Sequence, residues 1–173
     1  MLKKKICMLG SYGVGKTSLV ERFVHSMFKE NYHTTVGVKV DKKIVTVDGE
    51  EVTLMLWDMA GKEDNAEINL KQVGDASGYL LVVDGTRGRT LEIARGIQQN
   101  VEAAVGERPF FLLANKADLR ETWEIPDSVW EELAGAGWTV LETSAKSGQN
   151  VEEAFLSLTS RMLKAQAENS DDD

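Results

Sequence analysis

The sequence holds one cysteine, two histidines and no apolar run near the ~20 residues needed to cross a bilayer. One cysteine excludes a disulfide framework, and Cys7, set in an apolar stretch, reads as a small buried hydrophobe. With only His25 and His33 beside it, a zinc site lacks ligands, and no Ser-His-Asp set suggests itself. Lys3-Lys4-Lys5 is followed by no apolar signal core, so the expected location is cytoplasmic. Positive charge is also short. The net charge is −8 with no compact Lys/Arg cluster, which argues against nucleic-acid binding through a basic face. At 173 residues the chain suits one domain with a real core.

What is present centres on Gly10-Ser11-Tyr12-Gly13-Val14-Gly15-Lys16-Thr17, which fits GxxxxGK[ST]. It follows Ile6 to Leu9, read as a strand, and opens Ser18 to Val24, read as a helix. That context is what a phosphate-binding loop requires. Glycines let successive N–H groups turn inward as an anion nest, and the helix N-terminus behind adds its dipole. Lys16 would reach the β- and γ-phosphates, and Thr17 would offer its hydroxyl to Mg²⁺. The plain alternative is a Gly-rich turn between strand and helix, which the placement of the Lys-Thr pair disfavours.

Further strands are expected at Tyr79 to Val83, Phe110 to Ala114 and Thr139 to Glu142, apolar nearly throughout as in a parallel sheet covered on both faces. Val38 to Val47 and Val52 to Trp57 flank Asp48-Gly49, a tight-hairpin dipeptide, so one edge strand should run antiparallel. Helices are expected over Thr90 to Val105, Asp127 to Ala134 and Val151 to Ala167, with Asp127 capping the second of these behind Pro126. In the last, Val151, Ala154, Phe155, Leu158, Met162 and Ala165 recur at helical spacing as a core stripe. Glu121 to Pro126 reads as a polar connection containing Trp123. Residues 1–167 form the expected domain and 168–173 an acidic, disordered tail.

Three more segments narrow the chemistry. Asn115-Lys116-Ala117-Asp118 follows a strand end, where open α/β sheets place ligand contacts. Asp118 can accept from guanine's N1–H and exocyclic amine, a pair adenine does not present. Lys116 could lay its stem along the ring while Asn115 braces the loops. In Thr143-Ser144-Ala145-Lys146, backbone N–H groups can meet the guanine carbonyl. Leu54 to Gly61 ends a strand in Asp58, suited to the Mg²⁺ shell through water, and Gly61, whose N–H could approach a γ-phosphate.

Taken together, these motifs resemble the small GTPases of the Ras superfamily over essentially the whole chain. Tyr32-His33-Thr34-Thr35-Val36-Gly37-Val38 and Asn150 to Phe155 are most similar to Rab-type members. The resemblance implies an α/β P-loop GTPase fold, a six-stranded mixed sheet with five parallel strands, one antiparallel edge strand and five helices. It also implies a nucleotide site of Gly13, Val14, Gly15, Lys16, Thr17, Ser18, Phe28, Tyr32, Thr35, Gly61, Asn115, Lys116, Asp118, Ser144, Ala145 and Lys146. Within it, Thr35 would touch Mg²⁺ and the γ-phosphate, Phe28 would pack on the guanine edge, and Thr17, Thr35 and Asp58 would hold the metal. Lys16, Thr35, Gly61 and Lys62 would carry catalysis. The implied ligands are GTP or GDP with Mg²⁺. Effectors, exchange factors and activating proteins would bind through residues 30–40 and 60–74.

Three departures stand out. Lys62 replaces the glutamine that orients the attacking water, and an ammonium only donates, so either intrinsic hydrolysis is slow or another group of the chain or a partner positions the water; the plain alternative is that Lys62 points to solvent and hydrolysis is partner-driven. Tyr12 stands where the family carries a small residue; its ring could obstruct an arginine finger, contact phosphate, or turn outward. Arg87 and Arg89 are candidates for an internal finger, with a solvated loop as the plain reading. No cysteine follows Cys7 and residue 2 is Leu, so no intrinsic lipid anchor is expected: either a membrane role comes through a partner or the chain is a cytosolic, prokaryotic-like relative. Two alternatives stay open: an interaction module that binds nucleotide with negligible hydrolysis, and a P-loop kinase or ATPase, against which Asp118 and Thr143 to Lys146 speak.

Overall fold

The computed structural model of the chain describes residues 2–28, 37–59 and 70–171. Tyr32, His33, Thr35, Gly61, Lys62 and Glu63 lie outside the described residues. Six strands form one sheet in the order β2-β3-β1-β4-β5-β6. They are β1 (Leu2–Gly10), β2 (Val38–Val47), β3 (Glu50–Met59), β4 (Gly78–Asp84), β5 (Phe110–Asn115) and β6 (Val140–Thr143). β3, β1, β4, β5 and β6 are parallel neighbours, and β2 pairs antiparallel to β3 at the edge. The expected mixed sheet is therefore present. β1 starts earlier than its apolar half suggested, because Lys3 to Lys5 also pair with β3.

The hairpin between β2 and β3 closes through Asp48 at φ 51° and Gly49 at φ 78°. Two consecutive positive φ values give a turn whose twist matches that of the strands, which is why this dipeptide marks it. The register follows from it, with Val47 opposite Glu50 and Val38 opposite Met59.

The helices are α1 (Lys16–His25), α2 (Leu70–Val73), α3 (Arg89–Val105), α4 (Asp127–Gly135) and α5 (Val151–Asp171), with a 3₁₀ turn at Ala117–Thr122. They cover both sheet faces, and strand alternation sorts the core in two. Ile6 and Met8 join Leu19, Val20 and Phe23 of α1 and Phe155, Leu158 and Met162 of α5 on one face. Cys7 and Leu9 join Leu91, Ala94, Ile97 and Val101 of α3 and Trp130 and Leu133 of α4 on the other. β4 is buried at every position, as a central parallel strand should be.

Three expectations need correction. Asp127 is the first residue of α4 rather than its cap; the cap position is Pro126, with no side-chain hydrogen bond, and the Asp127 carboxylate pairs with Arg120. The stretch read as a polar connection begins inside a 3₁₀ turn, and Trp123 packs against the second core cluster. α5 continues to Asp171, so no change of structure marks residue 167, and Glu168 to Asp171, expected as disordered, are helical. The core stripe holds through Met162, which is buried, but Ala165, expected as its last member, is only half-buried.

Candidate functional site

The parallel register brings the C-terminal strand ends into one row. Met8 pairs with Asp58, Gly10 with Val82, Asp84 with Asn115 and Asn115 with Thr143. The loops leaving β1, β4, β5 and β6 therefore share one rim of the sheet, with the end of β3 beside the first.

The loop after β1 leads directly into α1. Gly15 adopts φ 105° next to the Asn115 amide, and a Cβ there would fall 2.3 Å from Asn115 Nδ2. Only glycine suits both the conformation and the space. Asn115 Nδ2 donates to the carbonyl of Val14 at 2.9 Å, and Asn115 Oδ1 accepts from Thr143 Oγ1 at 3.1 Å. One buried amide thus ties together the loops after β1, β5 and β6.

Lys16 is buried, and its Nζ donates to the carbonyls of Gly10 at 2.8 Å and Ser11 at 3.1 Å. Burial lowers its pKa to about 8, against the opposing pull of Asp58. Thr17 Oγ1 donates to Asp58 Oδ2 at 2.6 Å. Burial also raises the Asp58 pKa, an effect partly offset by the Thr17 hydrogen bond and by Lys16. Its second oxygen, Oδ1, is buried with no hydrogen-bond partner among the described residues. An orphaned carboxylate oxygen beside a hydroxyl and an ammonium is costly unless something fills the gap.

At the other end of the row, Asp118 Oδ1 accepts from Ser144 Oγ at 2.7 Å, linking the loops after β5 and β6. Ala145 is buried beneath them, while Lys146 is exposed. Lys116 is left-handed, at φ 72°, and its Nζ lies 2.9 Å from Oδ2 of the fully buried Asp84. Phe28, half-buried, packs against the first core cluster, and Gly13, Val14 and Ser18 lie on or beside the loop after β1. Asp84 closes β4, and an acid ending an otherwise apolar strand was the signal available in the sequence.

Tyr12 is 36 % exposed, and its carbonyl accepts from Arg87 Nη1 at 2.9 Å. Arg87 thus braces the loop through its backbone. His25 lies 3.8 Å from Asp41, and no group of three metal-ligating side chains forms among the described residues. Cys7, as expected, is buried, and its thiol is pushed up to about 11 by that burial, which leaves it unreactive. No described helix is long and apolar enough to cross a membrane.

The sequence profile of the Ras family matches residues 5–164. Human Ras-related protein Rab-8B is 34 % identical over 156 residues, covering 89 % of this chain and 75 % of the relative. Ras-related protein Rab-32A of Dictyostelium discoideum is 35 % identical over 172 residues, covering 92 % and 78 %. Human EF-hand calcium-binding domain-containing protein 4B is 37 % identical over 164 residues, covering 94 % of this chain but 22 % of that protein. With a match this long, and the loops after β1, β5 and β6 meeting on one rim, the chain belongs to the Ras family: it is a small GTPase with Rab-type relatives, a switch that binds guanine nucleotide and hydrolyses GTP.

Proposed function

We infer that this switch works with Mg²⁺ held through the Thr17 hydroxyl, Asp58 and Thr35, and that its unassisted hydrolysis is slow. The observation that carries the metal assignment is the Thr17–Asp58 pair at 2.6 Å, with Asp58 Oδ1 buried and unpartnered among the described residues. Oxygen donors of this kind suit a hard divalent cation. When bound, the cation neutralises charge on the phosphate oxygens.

The chain's own groups do the rest. Lys16, preorganised on the carbonyls of Gly10 and Ser11, can turn its ammonium to the β- and γ-phosphates, and the loop N–H groups face developing charge on the transferred phosphoryl. Asp118 accepts from the guanine N1–H and amine, the backbone N–H groups of Ser144 to Lys146 meet its carbonyl, and Phe28 packs on its edge. Thr35 and the Gly61 N–H respond to the γ-phosphate, and residues 30–40 and 60–74 form the surface read by effectors, exchange factors and activating proteins. Lys62, which cannot accept a hydrogen bond from the attacking water, sets the slow rate. The GTPase domain takes in the whole of α5, to Asp171, and acts in the cytoplasm.

The test is single-turnover GTP hydrolysis by purified protein, wild type beside Lys62→Gln, with nucleotide retention followed against Mg²⁺ for wild type and Asp58→Ala. The glutamine variant should hydrolyse faster, and Asp58→Ala should lose the Mg²⁺ dependence of retention. Equal hydrolysis rates would overturn the role of Lys62, and an unchanged Mg²⁺ dependence that of Asp58.

A further inference from the structure

Lys116 sits at φ 72° and ψ 40°, a conformation that side chains disfavour. Three contacts hold it there. Its carbonyl accepts from the Leu119 N–H at 2.9 Å and from the indole Nε1–H of Trp123 at 2.9 Å, and its ammonium pairs with buried Asp84. Of the three, the indole contact comes from furthest along the loop, and the surrounding structure is built to aim it.

The Trp123 ring packs against Gly85, where an added Cβ would stand 2.2 Å from Cδ2 and Cε2 of the ring. Gly85 is itself pinned, donating its N–H to the Asn115 carbonyl at 3.2 Å and accepting from the Glu124 N–H at 2.9 Å. The Arg120 guanidinium sits 4.5 Å from the Trp123 ring centroid and pairs with Glu142 on β6 and Asp127 on α4. Trp130 meets the same ring edge-on at 5.9 Å. The indole is thus fixed between the turn after β4, the loop after β5 and α4, with its N–H on the peptide two residues before Asp118. Filling space there needs only a ring; directing a donor at a left-handed carbonyl needs the nitrogen.

We propose that Trp123 is a positioning residue for base recognition: its Nε1–H fixes the Lys116 turn and thereby the direction of the Asp118 carboxylate, which Ser144 steadies from the other side. The inference rests on the reading of Asp118 as the group that selects guanine.

The experiment is release of GDP and of IDP, whose base lacks the exocyclic amine, from full-length wild type and Trp123→Phe, with melting midpoints alongside. Loss of one such hydrogen bond should speed GDP release about threefold to tenfold. IDP already forgoes one bond to Asp118, so its release should change less and the GDP-to-IDP ratio should narrow. Unchanged GDP release, or equal acceleration of both nucleotides as from a looser core, would overturn the proposal. Should the phenylalanine variant not fold, hydrogen exchange at the Trp123 indole in wild type decides: slower exchange with GDP than with IDP supports it, equal exchange overturns it. Wild type that holds ADP as well as GDP would instead overturn the Asp118 reading, and this proposal with it.

Discussion

Lys16 carries its charge into a buried site, and burial has brought its pKa down to about 8. A phosphate placed beside it favours the ammonium, so the bound form holds its proton to higher pH than the free form. Affinity for GDP should therefore be full below pH 8 and fall above it, by up to about tenfold per pH unit. Calorimetric titration of GDP between pH 7 and 9.5, in buffers of different ionisation enthalpy, should show proton uptake on binding above pH 8 and none at pH 7. Flat affinity across that range would show that burial does not perturb Lys16 in the free protein. At this scale the phosphate loop was plain in the sequence, because its glycines and the Lys-Thr pair stand at fixed spacing. The Lys116–Asp84 pair was not, because 31 residues of chain separate an acid and a base that meet only when β4 and β5 align.

At the scale of elements, the hairpin shows how local chemistry sets register. Gly49 at φ 78° faces open space, so a substitution there meets conformational cost and no clash. Gly49→Ala should lower stability by roughly 1 kcal/mol, read as a shift in the midpoint of urea unfolding at unchanged slope. No loss of stability would mean that the turn relaxes out of its positive-φ form. The hairpin, the four other strands and the long helices were legible because a dipeptide or a periodicity announces each. The 3₁₀ turn at Ala117–Thr122 was not, since its only local signature is polar composition. The start of α4 at Asp127 was legible, but its capping was not: a proline followed by an acid reads as a cap, yet Asp127 is already the first helical residue and its side chain pairs with Arg120.

Across the whole molecule, the two cores on either face of the sheet hold the strand ends in line. Phe155 is fully buried on α5 and stacks on Phe23 of α1 with ring centroids 4.2 Å apart, so it fixes the helix that carries Lys16 and Thr17. Phe155→Ala should cost about 3–5 kcal/mol in thermal or chemical unfolding. A loss under 1 kcal/mol would mean that α1 and α5 collapse onto the space left. The sequence by itself determined the fold class, the sheet with its one antiparallel edge, the nucleotide loops and the family, because each is written in spacing over a few residues. Only the tertiary structure decided that Asn115 would clamp three loops at once, that Asp58 would keep one oxygen unpartnered among the described residues, and that Trp123 would reach back to Lys116. Those contacts join residues far apart along the chain, and their geometry exists only once the parallel strands have brought their ends to the same rim.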